Sequence, residues 1–203
     1  MHPAGHRAFT LRAVLVGSAL ALCIAVGDPY ASLVLRGSYM ALDFSTPGAV
    51  FLFFVLVGLL NALARWVSPR LALERGELLV AYVMMIVASS ICSMGLTGYL
   101  LPILTSSQYF ATPENDWGKL IQPHVPAWTA VQDPDAVKWF YEGSPHQQPV
   151  PWAAWIQPLA SWALFLVALY LVVIATMVIL RRQWAASERL IYPIVQVPLE
   201  MVL

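Results

Sequence analysis

Four apolar stretches of membrane-crossing length punctuate the chain, separated by short clusters of charge and turn residues. A helix needs roughly 20 mostly apolar residues to cross the hydrocarbon core. The first stretch runs from Phe9 to Gly27, FTLRAVLVGSALALCIAVG, with Arg12 near enough to its start to snorkel to the headgroups. The second follows Ser45 or Thr46 as cap and Pro47 at the first helical position, and ends near Val67. The third, Glu77 to Leu101, opens on a carboxylate suited to a helix start and stops at Pro102. The fourth is Pro158 to Leu180, followed at once by Arg181 and Arg182. A fifth segment, RLIYPIVQVPLEMVL from Arg189 to Leu203, is apolar but short of a span. Backbone polar groups in lipid must be satisfied within their own segment, so each of these is expected to be helical.

The predicted fold class is therefore all-α, a polytopic transmembrane helix bundle of four complete spanning helices plus the start of a fifth. Three regions follow: residues 1–101 as an N-terminal three-helix membrane segment, 102–157 as a long outer loop rich in Pro and Trp, and 158–203 as the fourth span with the start of the fifth segment. Within the loop, DPDAVKWFYEG predicts a short helix capped by Asp133 with Pro134 in its first turn, lying on the membrane surface. Trp117, Trp128, Trp139, Trp152 and Trp155 read first as interfacial anchors of a lid, and second as an aromatic-lined vestibule.

Composition agrees with a membrane protein: 60% of the 203 residues are hydrophobic and only 11% charged. Zero formal net charge removes nucleic acid from the expected partners. Eight basic residues (Arg7, Arg12, Arg65, Arg70, Arg75, Arg181, Arg182, Arg189) fall on one side against three (Arg36, Lys119, Lys138) on the other. The positive-inside rule then predicts a cytoplasmic N-terminus, an extracytoplasmic 102–157 loop and residence in the cell inner (plasma) membrane. A competing reading takes the first apolar stretch as a cleavable signal peptide ending at Ala25-Val26-Gly27 and leaves the remaining topology unchanged. Cys23 and Cys92 lie inside apolar runs, where a thiol behaves as a small hydrophobe.

Candidate chemistry is confined to a few polar groups at membrane depth. In ASSICSMGLTG, Ser89, Ser93 and Thr97 fall at i, i+4 and i+8, with Ser90, Gly95 and Gly98 beside them. Such a stripe permits close helix packing and, as the sharper alternative, lines a solute or ion pathway. Asn61 in the second stretch needs a partner for its amide. Glu200 is the ionisable group expected away from a helix end; it follows Pro193, Gln196 and Pro198 in a segment expected to be twice interrupted, as in the broken helices of transporters. An interfacial amphipathic piece is the alternative. The clusters SPRLALERGEL and RRQWAASERL read as solvated ion pairs. HExxH, GxSxG and phosphate-cradling glycine motifs are missing, and His2, His6, His124 and His146 stand apart, so no enzyme activity, metal or cofactor is expected.

SPRLALERGELLVAYVMMIVASS, a polar turn with a glutamate leading into a helix whose far half is small, resembles a segment of the oligopeptide transporter superfamily. ERLIYPIVQVPLEMV, with the preceding ILRRQW and the outer PVPWAAWIQPL, resembles more specifically an uncharacterised family of large bacterial and archaeal polytopic membrane proteins. The resemblance implies a secondary carrier of a small solute with internal repeats around a midplane site, to which these 203 residues contribute an N-terminal part. Asn61, Ser89, Ser90, Ser93, Thr97, Gln196 and Glu200 are the expected pathway-facing groups. Lipid and further transmembrane helices, from a longer chain, a split partner or self-association, are the expected partners. The alternative is a membrane-embedded structural or assembly subunit whose polar stripes only pack.

Overall fold

The computed structural model describes residues 9–42, 46–92, 95–145, 148–188 and 192–203, and these are helical, turn or coil with no strand among them. Three helical runs are long and apolar enough to cross a membrane: Leu11–Val34, Pro47–Val67 and Trp152–Arg182. That makes the chain a membrane protein with three such helices where four complete spans were expected.

The first run is helix α1, Leu11–Pro29, capped by the Thr10 hydroxyl, which accepts from the Ala13 amide at 3.2 Å. Pro29 does not end it. Its missing N–H takes one bond from the ladder, and the chain continues for a π-helical turn, Tyr30–Val34. The second run changes register twice, as α2 (Pro47–Val55), a π turn (Leu56–Asn61) and α3 (Ala62–Val67). Thr46 is its cap residue and Pro47 its first helical one, as expected, although the Thr46 hydroxyl makes no capping bond. Ser45 lies outside the described residues.

The expected third span, 77–101, is broken. Helix α4 covers Arg75–Ile91 and stops at Cys92, whose backbone is extended; α5 begins at Thr97 and runs to Tyr109 with Pro102 inside it. Ser, Gly and Thr crowd this junction, and all have weak helix preference. A turn closes on Gly95, whose amide reaches the Cys92 carbonyl at 3.0 Å. A Cβ at position 95 would stand 2.1 Å from the Ser90 carbonyl oxygen, so only glycine fits.

The chain divides into two compact units, Met1–Tyr99 with Tyr192–Leu203, and Leu100–Ile191. In the first, α1 and α4 run in the same direction: their starts meet where Thr10 donates to Glu77, and Pro29 and Cys92 at their far ends line one groove. They approach closely at Gly17, where a Cβ would meet Met84 Sδ at 2.5 Å and Ala81 Cα at 3.2 Å. The α2–α3 line returns antiparallel. Its start bonds to Met40 near Asp28, and its end reaches Leu73 through Asn61. Ile24, Ala49, Phe53, Leu56, Leu78, Ala81, Tyr82 and Met85 form the shared core, with Phe53 and Tyr82 rings 4.9 Å apart.

The expected twice-interrupted terminal segment is one continuous helix, α9 (Pro193–Met201), with Pro193 in its first turn and Pro198 inside. It docks on α2 and α4, and Met201 and Val202 pack against the core.

The second unit holds α6 (Trp117–Leu120), a 3-10 turn at Gln122–His124, α7 (Pro134–Glu142) and α8 (Trp152–Arg182). Helix α7 is capped as its sequence requires: Asp133 accepts from the Asp135 and Ala136 amides at 2.9 and 3.3 Å. Tyr109 and Tyr141 stack at 4.0 Å, and Thr105 and Tyr141 share a hydroxyl bond of 3.0 Å. Helix α8 starts six residues before the expected Pro158, and none of its most apolar stretch is buried.

Candidate functional site

The first unit contains a buried carboxylate that is incompletely paired. Asp28, 3% exposed, sits on the α1 face that carries Ile24 into the core. Its Oδ1 accepts from the Met40 and Ala41 amides at 2.6 and 2.9 Å. Its Oδ2 is buried without a partner, and the buried Thr46 hydroxyl is the other such atom among the described residues. Both belong to one linkage. Asp28 holds residues 40 and 41, and the Met40 carbonyl accepts from the Gly48 amide at 2.8 Å in the first turn of α2. An unpaired buried polar atom costs about 1–3 kcal/mol, and more when charged, so two in one linkage call for a function or an occupant.

The broken end of α4 lies beside this carboxylate. Cys92 is buried, and it lines the same groove as Pro29, the residue that follows Asp28. Its Sγ leans on the Ser89 carbonyl at 3.7 Å. Alongside runs a groove of about 720 Å³ between α1 and α4, lined by Ser18, Ala25, Pro29, Met84, Cys92 and Thr97 among others. The wall is apolar for most of its length, mixing alanines with Leu22, Val83, Val87 and Ile91, and Ser18 and Thr97 are its hydroxyl-bearing residues. Broken helices at membrane depth occur where they line a cavity or bury against protein, and their freed carbonyls are the groups transporters use to hold cations.

The residues expected to face a pathway divide accordingly. Thr97 lines the groove. Ser89 is fully buried and gives its hydroxyl to the Met85 carbonyl at 2.9 Å, and Ser90 gives its own to Val87 at 2.8 Å, so both are occupied within their helix. Ser93 lies outside the described residues. Gln196 and Glu200 are exposed on α9, whereas the carboxylates held inside are Asp28 and Glu77. Asn61 has a structural partner: its Oδ1 accepts from the Leu73 amide at 2.7 Å and its Nδ2 donates to the Leu73 carbonyl at 3.3 Å. It clamps the turn between α3 and α4.

The SPRLALERGEL cluster is likewise more than solvated ion pairs. Glu77 is 2% exposed and accepts from the Thr10 hydroxyl, from the Glu74 amide at 2.8 Å and from Arg12 at 3.3 and 3.4 Å. Arg12 also donates to the Arg70 carbonyl at 2.8 Å. These bonds tie the start of α1 to the start of α4 at the basic end of the unit, opposite Asp28.

In the second unit, Trp139, Phe140, Val150, Pro151 and Trp155 line a hollow of about 270 Å³. Trp155 and Phe140 centroids lie 5.5 Å apart, so the tryptophan series contributes to a packed aromatic cluster. Among the described residues, no three His, Cys, Asp or Glu side chains come together as metal ligands; His146 is outside them.

The chain belongs to a family of unknown function, DUF6785, whose model matches residues 3–203. That description assigns no activity and does not mention oligopeptide transporters. No curated protein and no solved structure matches the chain.

Proposed function

We propose that this chain is the N-terminal part of a secondary carrier moving a small solute across the plasma membrane, with its N-terminus cytoplasmic. In this reading it crosses four times. The third crossing is α4 completed beyond its break, since 17 helical residues span only about 25 Å of a roughly 30 Å hydrocarbon core. The observation that carries the proposal is Asp28, a buried carboxylate with one oxygen unpaired, next to Pro29 in an apolar groove that also reaches the broken end of α4. Intramembrane ionisable groups are rare because they are expensive, and they mark ion and substrate pathways. The resemblance of SPRLALERGELLVAYVMMIVASS to the oligopeptide transporter superfamily supports the same class.

The test is thermal unfolding of the purified chain in detergent against di- and tripeptides, metal chelates and simple ions, followed by uptake into proteoliposomes. A solute that raises the midpoint for the wild type and fails to do so for Asp28→Asn supports a carrier. No stabilisation by any of them, with no uptake, overturns it.

A second reading is an assembly subunit without transport of its own. The occupied hydroxyls of Ser89 and Ser90 and the docked α9 favour it, since both show polar and apolar seams spent on packing. Recovery of a stable larger complex whose partner alone carries uptake would select it.

A further inference from the structure

We infer that the basic end of the first unit holds a phosphate group, in a pocket built by α3, the start of α4 and the end of α9. A concavity of about 360 Å³ is lined by Val57, Asn61, Ala62, Arg65, Arg75, Leu78 and residues 201–203. Its size falls within the roughly 300–1,000 Å³ range of ligand sites. Arg65 and Arg75 enter it from two different helices, and among the described residues neither has an ion-pair or hydrogen-bond partner. Arg12, at the same end, is by contrast tied to Glu77 and to the Arg70 carbonyl. No Asp or Glu side chain lines the pocket among the described residues, and both arginines are exposed and open to a ligand from solvent or the headgroup layer. Asn61 is committed to Leu73 and fixes the wall rigidly.

Two arginines lining one concavity suit a phosphate, whose oxygens accept paired N–H donors. The rest of the lining matches the remainder of a lipid. Val57, Leu78, Met201 and Val202 are apolar, and the neighbouring Trp66 and Val67 are 85% and 71% exposed, as side chains at headgroup level are. Basic pockets between transmembrane helices are a recurrent site for anionic headgroups. The shared chemistry is a phosphate ester, from an anionic phospholipid or from a free phosphate. This site does not depend on the carrier reading.

The test uses the full chain in neutral detergent, titrated separately with dioleoyl phosphatidylglycerol, dioleoyl phosphatidylcholine and inorganic phosphate. The readouts are the thermal unfolding midpoint and lipid retained in native mass spectrometry. Phosphatidylglycerol is expected to bind about thirtyfold more tightly than phosphatidylcholine, from two arginines near a charged headgroup. The double variant Arg65→Gln/Arg75→Gln should lose that preference, Arg65→Lys/Arg75→Lys should keep a part of it, and Arg181→Gln/Arg182→Gln should keep all. Protection by inorganic phosphate alone assigns a free phosphate; protection by the anionic lipid alone assigns a headgroup. Equal binding of both lipids with no effect of phosphate overturns the site. So does an equal loss in the Arg181/Arg182 variant, or an unaffected Arg65/Arg75 glutamine variant that unfolds at the wild-type midpoint. If the glutamine variant is unfolded, the lysine variant decides: a reduced preference with a wild-type midpoint upholds the site, and binding indistinguishable from wild type overturns it.

Discussion

Replacing Glu77 by alanine separates two accounts of what joins α1 to α4. If Coulomb attraction dominates, Glu77 and Arg12 should matter equally. If the carboxylate acts mainly as a buried acceptor for several donors, Glu77 should matter more. Arg12 is 51% exposed while Glu77 is 2% exposed, so water screens and replaces the arginine's half of the pair, leaving its contribution at about 1 kcal/mol or less. Alanine at 77 also strips the Thr10 hydroxyl and the Glu74 amide of their acceptor. Each loss is about 1 kcal/mol or slightly more, for a total near 3 kcal/mol. At roughly 2–4 °C per kcal/mol for a chain of this size, Glu77→Ala should lower the midpoint by about 6–12 °C and Arg12→Gln by about 2–4 °C. The double variant should unfold within about 0.5 kcal/mol of Glu77→Ala, because the arginine then has only its exposed bond to the Arg70 carbonyl left to lose. Tryptophan fluorescence during thermal unfolding in detergent reads all three. An Arg12→Gln shift as large as that of Glu77→Ala, or a Glu77→Ala shift under 2 °C, refutes the acceptor account.

Other substitutions probe separate joints. Gly17→Leu should destabilise by about 1–3 kcal/mol through overpacking, and Gly17→Ala by less because the Met84 sulfur can swing aside while the Ala81 backbone cannot; melting curves of the pair check the order. Asn61→Ala leaves both backbone groups of Leu73 without partners and should cost about 2–3 kcal/mol, read as faster hydrogen exchange across 68–74. Asp133→Ala removes the cap of α7 and should cost about 1 kcal/mol, read as increased exchange within 134–142.

What could be read from the chain beforehand depended on how local the governing interaction was. Apolar length alone located the α1, α2–α3 and α8 runs, because nothing but a helix satisfies so long an apolar backbone in lipid. Asp133-Pro134 announced α7 because cap and first turn are neighbours in sequence. The break after Ile91 was hidden, since small apolar residues continue through it and Pro102 looked like the natural stop. Asp28 was missed because Gly27-Asp28-Pro29 reads as a helix end, whereas the π turn carries the helix past the proline and leaves the carboxylate inside. Its partners lie 12 and 13 residues away in irregular backbone, and those of Glu77 in α1 lie 65 and 67 away, distances at which no periodicity signals a contact.

The common direction of α1 and α4 has an electrical consequence. Parallel neighbours bring like helix ends together, and at the shared start of α1 and α4 two positive ends meet, each equivalent to about half an elementary charge. Glu77 stands between two positive helix starts and serves as their counter-ion.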